Sequence, residues 1–208
     1  MNNQNPTPLL YPKYVDDIQK RSRLHYFLGL ISRWKLHLKY QYASFVARRN
    51  GATIGIGVTM PLSLAKKANK NLVIGSHTSI GTDKLDLRNP ITIGNHVIIG
   101  AYSQIITASH NVDSPEWNYK GYGIVIADYT WIAQNVIILP SCRKIERGAV
   151  IGTGSVVVKN VQEMSILSGN PAKEIRKRKC VHDQFVVESC RAGDFNLYKA
   201  ARKMKNNI

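Results

Sequence analysis

The residues IGNHVIIGAYSQIITASH, numbers 93–110, decide the fold class, because an isoleucine recurs in them every six positions. A small residue usually follows each isoleucine, and another small or aliphatic residue stands four places after it. An α-helix turns every 3.6 residues and a strand alternates every two, so neither keeps this phase. Six residues fit one short strand and one corner. Three such blocks make one triangular coil, and stacked coils bury a continuous core, which predicts a solenoid.

The same six-residue phase extends through eleven blocks within about ninety residues, which is more than a chance match would produce. The blocks begin at Ile74, Ile80, Ile93, Ile99, Ile105, Ile126, Ile132, Ile138, Ile145, Ile151 and Val157, and an outlying first copy begins at Ile54. Single-residue slips, between Ile80 and Leu87 and at Arg143-Lys144, are interpreted as local bulges at corners. The sequence therefore predicts an all-β solenoid over residues 51–168.

Both flanks of the repeat are predicted to be basic and largely helical. Residues 1–50 form an N-terminal segment that is irregular at first. It becomes helical from Asp16 to about Arg49, because Leu24, Phe27, Leu28 and Ile31 follow three- and four-residue spacing. Gly29 is a candidate bend in this helix. After a turn at residues 168–172, helices are predicted for residues 173–179 and 182–205, within a C-terminal tail of residues 169–208.

The positive charge of the chain is concentrated in these two flanks. The formal net charge is +16, of which residues 1–70 carry +10, residues 71–161 carry +1 and residues 162–208 carry +5. One explanation is a soluble protein with solvated helix faces. The other is an anionic partner near the flanks, such as a phosphorylated ligand, a lipid headgroup or a nucleic acid. The sequence leaves both open.

The three cysteines, Cys142, Cys180 and Cys190, indicate the compartment. They form no CxxC pair or cluster, so neither a disulfide framework nor a zinc site is expected, and a reducing, cytoplasmic setting is favoured. The N-terminus does not resemble a secretory signal. The sequence contains no run of 18 apolar residues, so no transmembrane helix is expected.

One segment interrupts the repeat, and it contains the residue that we expect to do chemistry. HNVDSPEWNYKGYG, residues 110–123, has no six-residue phase and combines polar and aromatic side chains. Such a long excursion from a solenoid is usually functional or disordered. Its aromatic residues, Trp117, Tyr119 and Tyr122, favour an ordered loop that makes contacts. His110 lies at the root of this loop.

Four segments together resemble one family of enzymes. TASHN (107–111), IADYTWIAQNVIILP (126–140), IGTGSVVVKNV (151–161) and SGNPAKEIRKR (168–178) resemble the hexapeptide-repeat acyltransferases. Within them, the chain looks most like the maltose and galactoside O-acetyltransferases and the sugar O-acetyltransferases of colanic acid, capsule and O-antigen synthesis. The resemblance covers about residues 71–178. It implies a left-handed parallel β-helix, usually trimeric, that transfers acetyl from acetyl-CoA to a sugar hydroxyl without a metal.

The resemblance assigns the chemistry to His110. A hydroxyl is a poor nucleophile at neutral pH, and an imidazole within hydrogen-bond reach can take its proton as it attacks the thioester. The family places this base at the end of a coil just before the loop, where His110 stands. Asp113, Glu116 or a backbone carbonyl are the alternatives for holding the second ring nitrogen.

The resemblance also implies residues for the acetyl-CoA donor. Trp131 is expected near the pantetheine arm, whose other contacts are expected from the backbone of Ala133, Gln134, Thr153 and Gly154. Lys159, Lys173 and Arg176 match positions near the CoA phosphates, and Arg178 is an additional candidate. Val158 replaces the usual threonine before Lys159, so one hydroxyl contact is missing.

The acceptor side departs from the family pattern. The family's acceptor asparagine aligns near Thr82 and Asp83, which are candidates for the acceptor site together with Trp117 of the loop. The usual N-terminal acceptor segment is replaced by the basic helix. Two roles stay open for that helix: it packs over the open end of the solenoid, or it is attracted to an anionic membrane surface or a lipid-diphosphate sugar. A peripheral position at the inner face of the membrane is thus one expectation.

Three other functions are alternatives. A metal-dependent β-helix enzyme of the carbonic anhydrase kind needs three converging histidines, two of them five residues apart. His77, His96 and His110 are 19 and 14 residues apart, which argues against it. A non-catalytic binding protein is a second alternative, but no nucleic-acid motif is present and no nucleic-acid partner is expected. N-acylation of an amino sugar, free or nucleotide-linked, is the nearest rival, because the same histidine could serve it.

Overall fold

The computed structural model describes residues 11–204, so the first residues of the predicted irregular segment lie outside the described part of the chain. Its helices are α1 (Pro12–Gln19), α2 (Arg23–Arg49), α3 (Leu62–Lys67) and α4 (Phe195–Ala201). The predicted N-terminal helix is confirmed, but its break lies before Ser22, whose hydroxyl accepts a bond from the backbone of His25 and caps α2. Gly29 lies inside the continuous helix α2 and does not divide it. A Cβ there would lie 2.5 Å from the hydroxyl oxygen of Tyr198, so glycine permits a close contact.

Between α2 and α4, the chain forms short strands. In order, they are β1 (Thr53–Ile54), β2 (Leu72–Ile74), β3 (Ser79–Ile80), β4 (Ile91–Ile93), β5 (Ile98–Ile99), β6 (Gln104–Ile105), β7 (Ala108–His110), β8 (Tyr119–Gly121), β9 (Ile124–Ile126), β10 (Trp131–Ile132), β11 (Ile137–Ile138), β12 (Lys144–Ile145), β13 (Val150–Ile151), β14 (Val156–Val157), β15 (Ser165–Gly169) and β16 (Ala172–Lys177).

These strands form four sheets. Three of them hold the repeat and are parallel except at β16, and the fourth is the antiparallel pair β7-β8. The first sheet has the order β1-β2-β4-β9-β12, the second β3-β5-β10-β13-β15-β16, and the third β6-β11-β14. The chain runs from the first sheet to the second, then to the third, and back to the first. One such passage is a coil. Leu85 joins the third sheet in an early coil through an isolated bridge to Ile105. The corners between sheets form three edges, named 1→2, 2→3 and 3→1 after the sheets that they connect.

The register of the sheets explains the six-residue phase. Ile93 pairs with Ile74 on one side and Ile126 on the other, so residues that open blocks stand directly above one another. The second sheet repeats this with Ile132 between Ile99 and Ile151. These six side chains are at most 1% exposed and belong to one continuous core. The predicted inward position of the block-opening residues and the parallel pairing are therefore confirmed.

The interruption at residues 110–123 is more regular than the loop that was predicted. β7 and β8 form an antiparallel hairpin in which His110 pairs with Tyr119, and Ala108 with Gly121. The hairpin leaves the stack at the 3→1 edge, after β6. The loop that joins the two strands is closed at its base by a hydrogen bond from Asn111 N to Asn118 O at 2.8 Å.

The C-terminal tail differs from its prediction. The helix predicted for residues 173–179 is wrong: β16 pairs antiparallel with β15 instead. β15 is the last parallel strand of the second sheet, so its outer edge would carry unpaired backbone groups. β16 pairs with this edge and satisfies them. Gly169, with φ +103°, supplies the tight reversal between the two strands. Of the helix predicted for residues 182–205, only a 3₁₀ turn (Val187–Arg191) and α4 form in the described residues.

A second, small core fastens this tail to the N-terminal helices. Tyr198 of α4 is fully buried together with Ile18 of α1, and its ring stacks on Tyr26 of α2 with centroids 5.1 Å apart. No helix within residues 11–204 is long and apolar enough to cross a membrane.

Candidate functional site

His110 is the last residue of β7, and the hairpin holds its exposed ring between two aromatic side chains. The ring stacks on Trp117, with centroids 5.7 Å apart and planes at 19°, and meets Tyr119 edge-on at 6.1 Å. Trp117 adopts φ +51°, a conformation that bulky residues rarely take. Its amide donates to Ser114 O at 2.9 Å, which keeps the loop closed. Trp117 is thus positioned against the candidate base.

The second ring nitrogen of His110 is held by the backbone. Nδ1 lies 2.8 Å from the carbonyl oxygen of Trp117. Because a carbonyl oxygen only accepts, Nδ1 must carry the proton and donate it. A neutral ring with its proton on Nδ1 has a free electron pair on Nε2, which is the form that a general base needs.

Asp113 and Glu116 do not orient the ring in the described part of the chain. Glu116 instead accepts a hydrogen bond from the Ser114 hydroxyl, which lies 2.9 Å from its Oε2. Of the three alternatives for orienting His110, the backbone carbonyl is therefore the one observed. The two acidic residues are exposed on the hairpin, where water can satisfy both carboxylates.

Trp131 lies on the outer face of the second sheet. In β10 it stands between Ile98 and Val150 of the neighbouring strands, and 46% of its surface is exposed. The next residue, Ile132, points into the core. The alternation of a strand thus leaves the indole available to a ligand or a neighbouring subunit.

The structure brings the other donor candidates of the coils together at the 2→3 edge. Ala133 and Gln134 form the corner after β10, and Thr153 and Gly154 form the corner one coil later. Gly154 N donates to Gln134 O at 3.0 Å, which joins the two corners. Gly154 has φ +71°, yet a Cβ there would meet nothing within 4 Å. The space beside the α-carbon of Gly154 is therefore open.

The turn between β15 and β16 continues the same edge. Gly169 N donates to the Ser155 hydroxyl at 3.2 Å, so this turn stacks beside the Thr153–Gly154 corner. Lys173 and Arg176 follow on β16 and are exposed. Lys159 is exposed at the 3→1 edge, after β14. Two of the three predicted phosphate contacts thus lie on the strand that begins next to the other donor candidates, and the third lies apart from them.

Arg178 has a different role from the one predicted. Its Nη1 donates to the carbonyl oxygens of Tyr129 and Gly148, both at 3.2 Å, and Nη2 lies 3.0 Å from His182 Nδ1. These acceptors belong to the 1→2 edge, which the C-terminal tail covers. The assignment of Arg178 to CoA phosphates is therefore corrected: its guanidinium ties the tail to the coils.

The two acceptor-side candidates in the coils also have internal partners. Thr82 is buried, and its hydroxyl donates to Ser103 O at 2.8 Å, so it is not exposed to an acceptor. Asp83 lies 3.6 Å from the ammonium of Lys67. A hydrogen bond from Ser63 and the Lys67 charge lower the pKa of Asp83. Thr82 is therefore corrected to a structural residue, whereas Asp83 is a half-exposed carboxylate at the 2→3 edge.

A cluster at the 1→2 edge was missed by the sequence analysis. His77, His96 and Tyr129 stack in successive coils, with centroids 5.1 and 5.0 Å apart. All three have positive φ, and Glu188 hydrogen-bonds to His77 Nδ1 at 2.5 Å. The sequence does indicate this cluster, because its three residues are 19 and 33 positions apart. The residues that pair between neighbouring strands of the first sheet are separated by the same numbers of positions. Within residues 11–204, no group of three His, Cys, Asp or Glu side chains could hold a metal.

Several known proteins of similar sequence are named as acetyltransferases, and no protein-family model matches the chain. The chain is 32% identical over 149 residues to WcaF of Escherichia coli (strain K12), which carries the name of a colanic acid biosynthesis acetyltransferase. That alignment covers 71% of this chain and 81% of WcaF. A galactoside O-acetyltransferase of Lactococcus lactis is 37% identical over 91 residues, covering 42% of this chain and 43% of that protein.

A solved structure also matches most of the chain. It is a hexapeptide-repeat acetyltransferase from Vibrio cholerae, crystallised with acetyl coenzyme A. It aligns with a TM-score of 0.54 and 26% identity over 82% of this chain and 86% of that chain.

Proposed function

Because the chain belongs to the hexapeptide-repeat acyltransferase family, we propose that it O-acetylates a sugar, with His110 as the general base. It is an acyl-CoA-dependent acetyltransferase, with acetyl-CoA as donor. The acceptor is proposed to be a sugar of a surface polysaccharide, such as a capsule, an O-antigen or an exopolysaccharide, because the E. coli relative is named for colanic acid biosynthesis. The proposed location is the cytoplasm, which fits three free cysteines.

The observation that carries this proposal is the hydrogen bond from His110 Nδ1 to Trp117 O. With that proton fixed, Nε2 accepts the proton of the acceptor hydroxyl as its oxygen attacks the thioester carbonyl carbon. The carbon–sulfur bond then breaks, and the departing thiolate takes this proton from Nε2–H. The acetyl ester and free CoA are the products. General base catalysis of this kind contributes about 10²–10⁴-fold to the rate.

We propose that the three sheets wind as a left-handed parallel β-helix and that three chains assemble with active sites between them. The cyclic order of the sheets and their aligned isoleucines support a parallel β-helix, and its left hand is the one that the family resemblance implies. The second point rests on the positions of the site residues. In one chain, His110 lies at the 3→1 edge and Gln134 and Gly154 at the 2→3 edge, a full side of the triangle away. A neighbouring chain that presents its own edge would complete the site.

The 2→3 edge is the proposed path of the donor. Pantetheine would lie against the open backbone of Ala133, Gln134, Thr153 and Gly154, with the Trp131 indole beside it. Lys173 at the end of this path and Arg176 further along β16 would hold the nucleotide phosphates through charge-assisted hydrogen bonds. Lys159, at the 3→1 edge, would reach the phosphates of a donor bound across the subunit boundary. Trp117 and Asp83 remain the proposed acceptor contacts.

The test is thiol release from acetyl-CoA by the full chain, with a panel of free, nucleotide-linked and lipid-linked sugars. We expect release to depend on one acceptor, whose product carries an alkali-labile ester. His110→Ala serves as the control for uncatalysed hydrolysis. Release with amino sugars alone, giving an alkali-stable amide, would replace the hydroxyl acceptor by an amine. Absence of release with every sugar would contradict the proposal.

A further inference from the structure

One face of α2 is an exposed apolar stripe. Eight large apolar side chains of this helix, each 39–66% exposed, share that face: Leu24, Phe27, Leu28, Ile31, Trp34, Leu38, Tyr42 and Phe45. Their spacing of three or four residues keeps them in one line along the helix. At 1.5 Å per residue, the stripe is roughly 30 Å long. A contiguous apolar patch of this size on a soluble protein marks an interaction site.

The stripe faces outward because the opposite face of α2 is already in use. Ala43 and Ala47 are buried against the first coil, within the main core. Arg33 Nε donates to the buried Asp194 carboxylate at 2.9 Å, and the Tyr40 hydroxyl donates to Arg191 O at 3.1 Å. Packing of α2 over the first coil, one of the two roles that the sequence left open, is thus observed. The same contacts fix the direction of the stripe without covering it.

The charges around the stripe identify its partner. α2 contains six Arg and Lys residues and no Asp or Glu. On a helical wheel, Lys35 and Arg49 fall within the stripe, and Arg23 and Lys39 fall at its two sides. Two copies of the chain meeting through this face would oppose like charges. An anionic surface with an apolar interior satisfies both the basic border and the stripe.

We propose that α2 lies flat on an anionic phospholipid bilayer, with the stripe inserted between the headgroups. Leu, Phe and Trp on one face with Lys and Arg around them are the composition of helices that bind in this manner. Trp34 and Tyr42 have the amphipathic rings that favour the boundary between water and hydrocarbon. The inference does not depend on His110 or on the acyl-transfer reaction, since none of the stripe residues belongs to the candidate site.

The test is co-sedimentation of the purified full chain with phosphatidylcholine vesicles that contain or lack phosphatidylglycerol. We expect binding to the anionic vesicles that weakens as salt is raised. The triple variant Ile31→Ser, Trp34→Ser, Leu38→Ser should lose at least about tenfold in vesicle affinity. Lys35→Gln with Lys39→Gln should weaken binding and reduce its salt dependence. These side chains are exposed or half-exposed, so folding should persist, which circular dichroism checks.

Matched control variants distinguish binding through the stripe from non-specific binding through other exposed apolar or charged side chains. Ile56→Ser removes an apolar side chain that is 65% exposed outside α2, and Lys199→Gln removes an exposed charge on α4. Both should bind vesicles like the unaltered chain. Absence of binding to anionic vesicles, or full binding by the triple variant, would overturn the inference. So would a triple variant that changes the oligomeric state in light scattering with unchanged vesicle binding, because the stripe would then be a subunit interface. Thiol release in solution tests the proposed function separately.

Discussion

Replacing Arg178 by Gln is expected to destabilise the protein without weakening acetyl-CoA binding. Its guanidinium donates to the carbonyl oxygens of Tyr129 and Gly148 and contacts His182 Nδ1. His182 in turn donates from Nε2 to His96 O at 2.8 Å. Arg178 and His182 together thus connect the C-terminal tail to the corners of three successive coils.

The expected loss follows from these three contacts. A hydrogen bond to a charged group contributes about 1.5–3 kcal/mol, and glutamine can replace part of one bond. Because Arg178 is half-buried, solvent screens the contacts and the lower end applies. The free energy of unfolding should fall by about 2–4 kcal/mol. For a chain of this size, each kcal/mol lowers the Tm by about 2–4 °C, so a drop of roughly 4–16 °C is expected.

Calorimetry and steady-state kinetics on the same preparation decide the matter. Lys173→Gln is the control: Lys173 is exposed on β16, so its loss should leave the Tm nearly unchanged and raise KM for acetyl-CoA. Arg178→Gln should show the reverse pattern. If Arg178→Gln raised that KM more than about tenfold at an unaltered Tm, its guanidinium would be a phosphate ligand and the structural assignment would fail.

Four further variants test the hairpin, the 2→3 edge and the 1→2 edge. Asp113→Asn and Glu116→Gln should keep kcat near the original value, because the Trp117 carbonyl orients His110; a loss as large as that of His110→Ala in either variant would restore a carboxylate to that role. Gly154→Ala should lower the free energy of unfolding by about 1–2 kcal/mol, because its positive φ alone strains an alanine. A larger loss of unfolding free energy in chemical denaturation would indicate a steric clash and would contradict the open edge. The hydrogen bond to Glu188 raises the pKa of His77 above 6.5. This contribution to stability is therefore present in full below about pH 6.5 and is lost as the pH rises through the folded-state pKa of His77. Glu188→Gln should remove that part of the pH dependence of Tm, and identical Tm profiles would refute it.

The repeat could be predicted from the sequence because its cause is local. A residue such as Ile93 must be aliphatic to fill the core, and its counterparts Ile74 and Ile126 stand directly above and below it. The six-residue period therefore appears in the sequence wherever the coil is regular. Donor candidates at the 2→3 edge, such as Gly154, could be located for the same reason, since their place in the block fixes their place in the coil.

The features that were missed depend on contacts distant in sequence. Whether residues 173–179 form a helix or a strand is decided by the free edge of β15, which a short basic segment does not reveal. The partners of Arg178 and Thr82 likewise come from other coils. The spacing of Leu24 and Ile31 indicated a helix but not which face of α2 would be buried. That was decided by Ala43 and Ala47, which are small enough to pack against the first coil.

The proposed reaction depends on His110 removing the proton of the acceptor hydroxyl. Its most direct test is to measure kcat of His110→Ala, and in parallel the Kd of CoA by calorimetry. We expect kcat to fall by about 10²–10⁴-fold while the affinity for CoA stays the same, because the contacts proposed for CoA come from the 2→3 edge and the basic side chains and not from His110. A variant that retained nearly full kcat would contradict the assignment of the base.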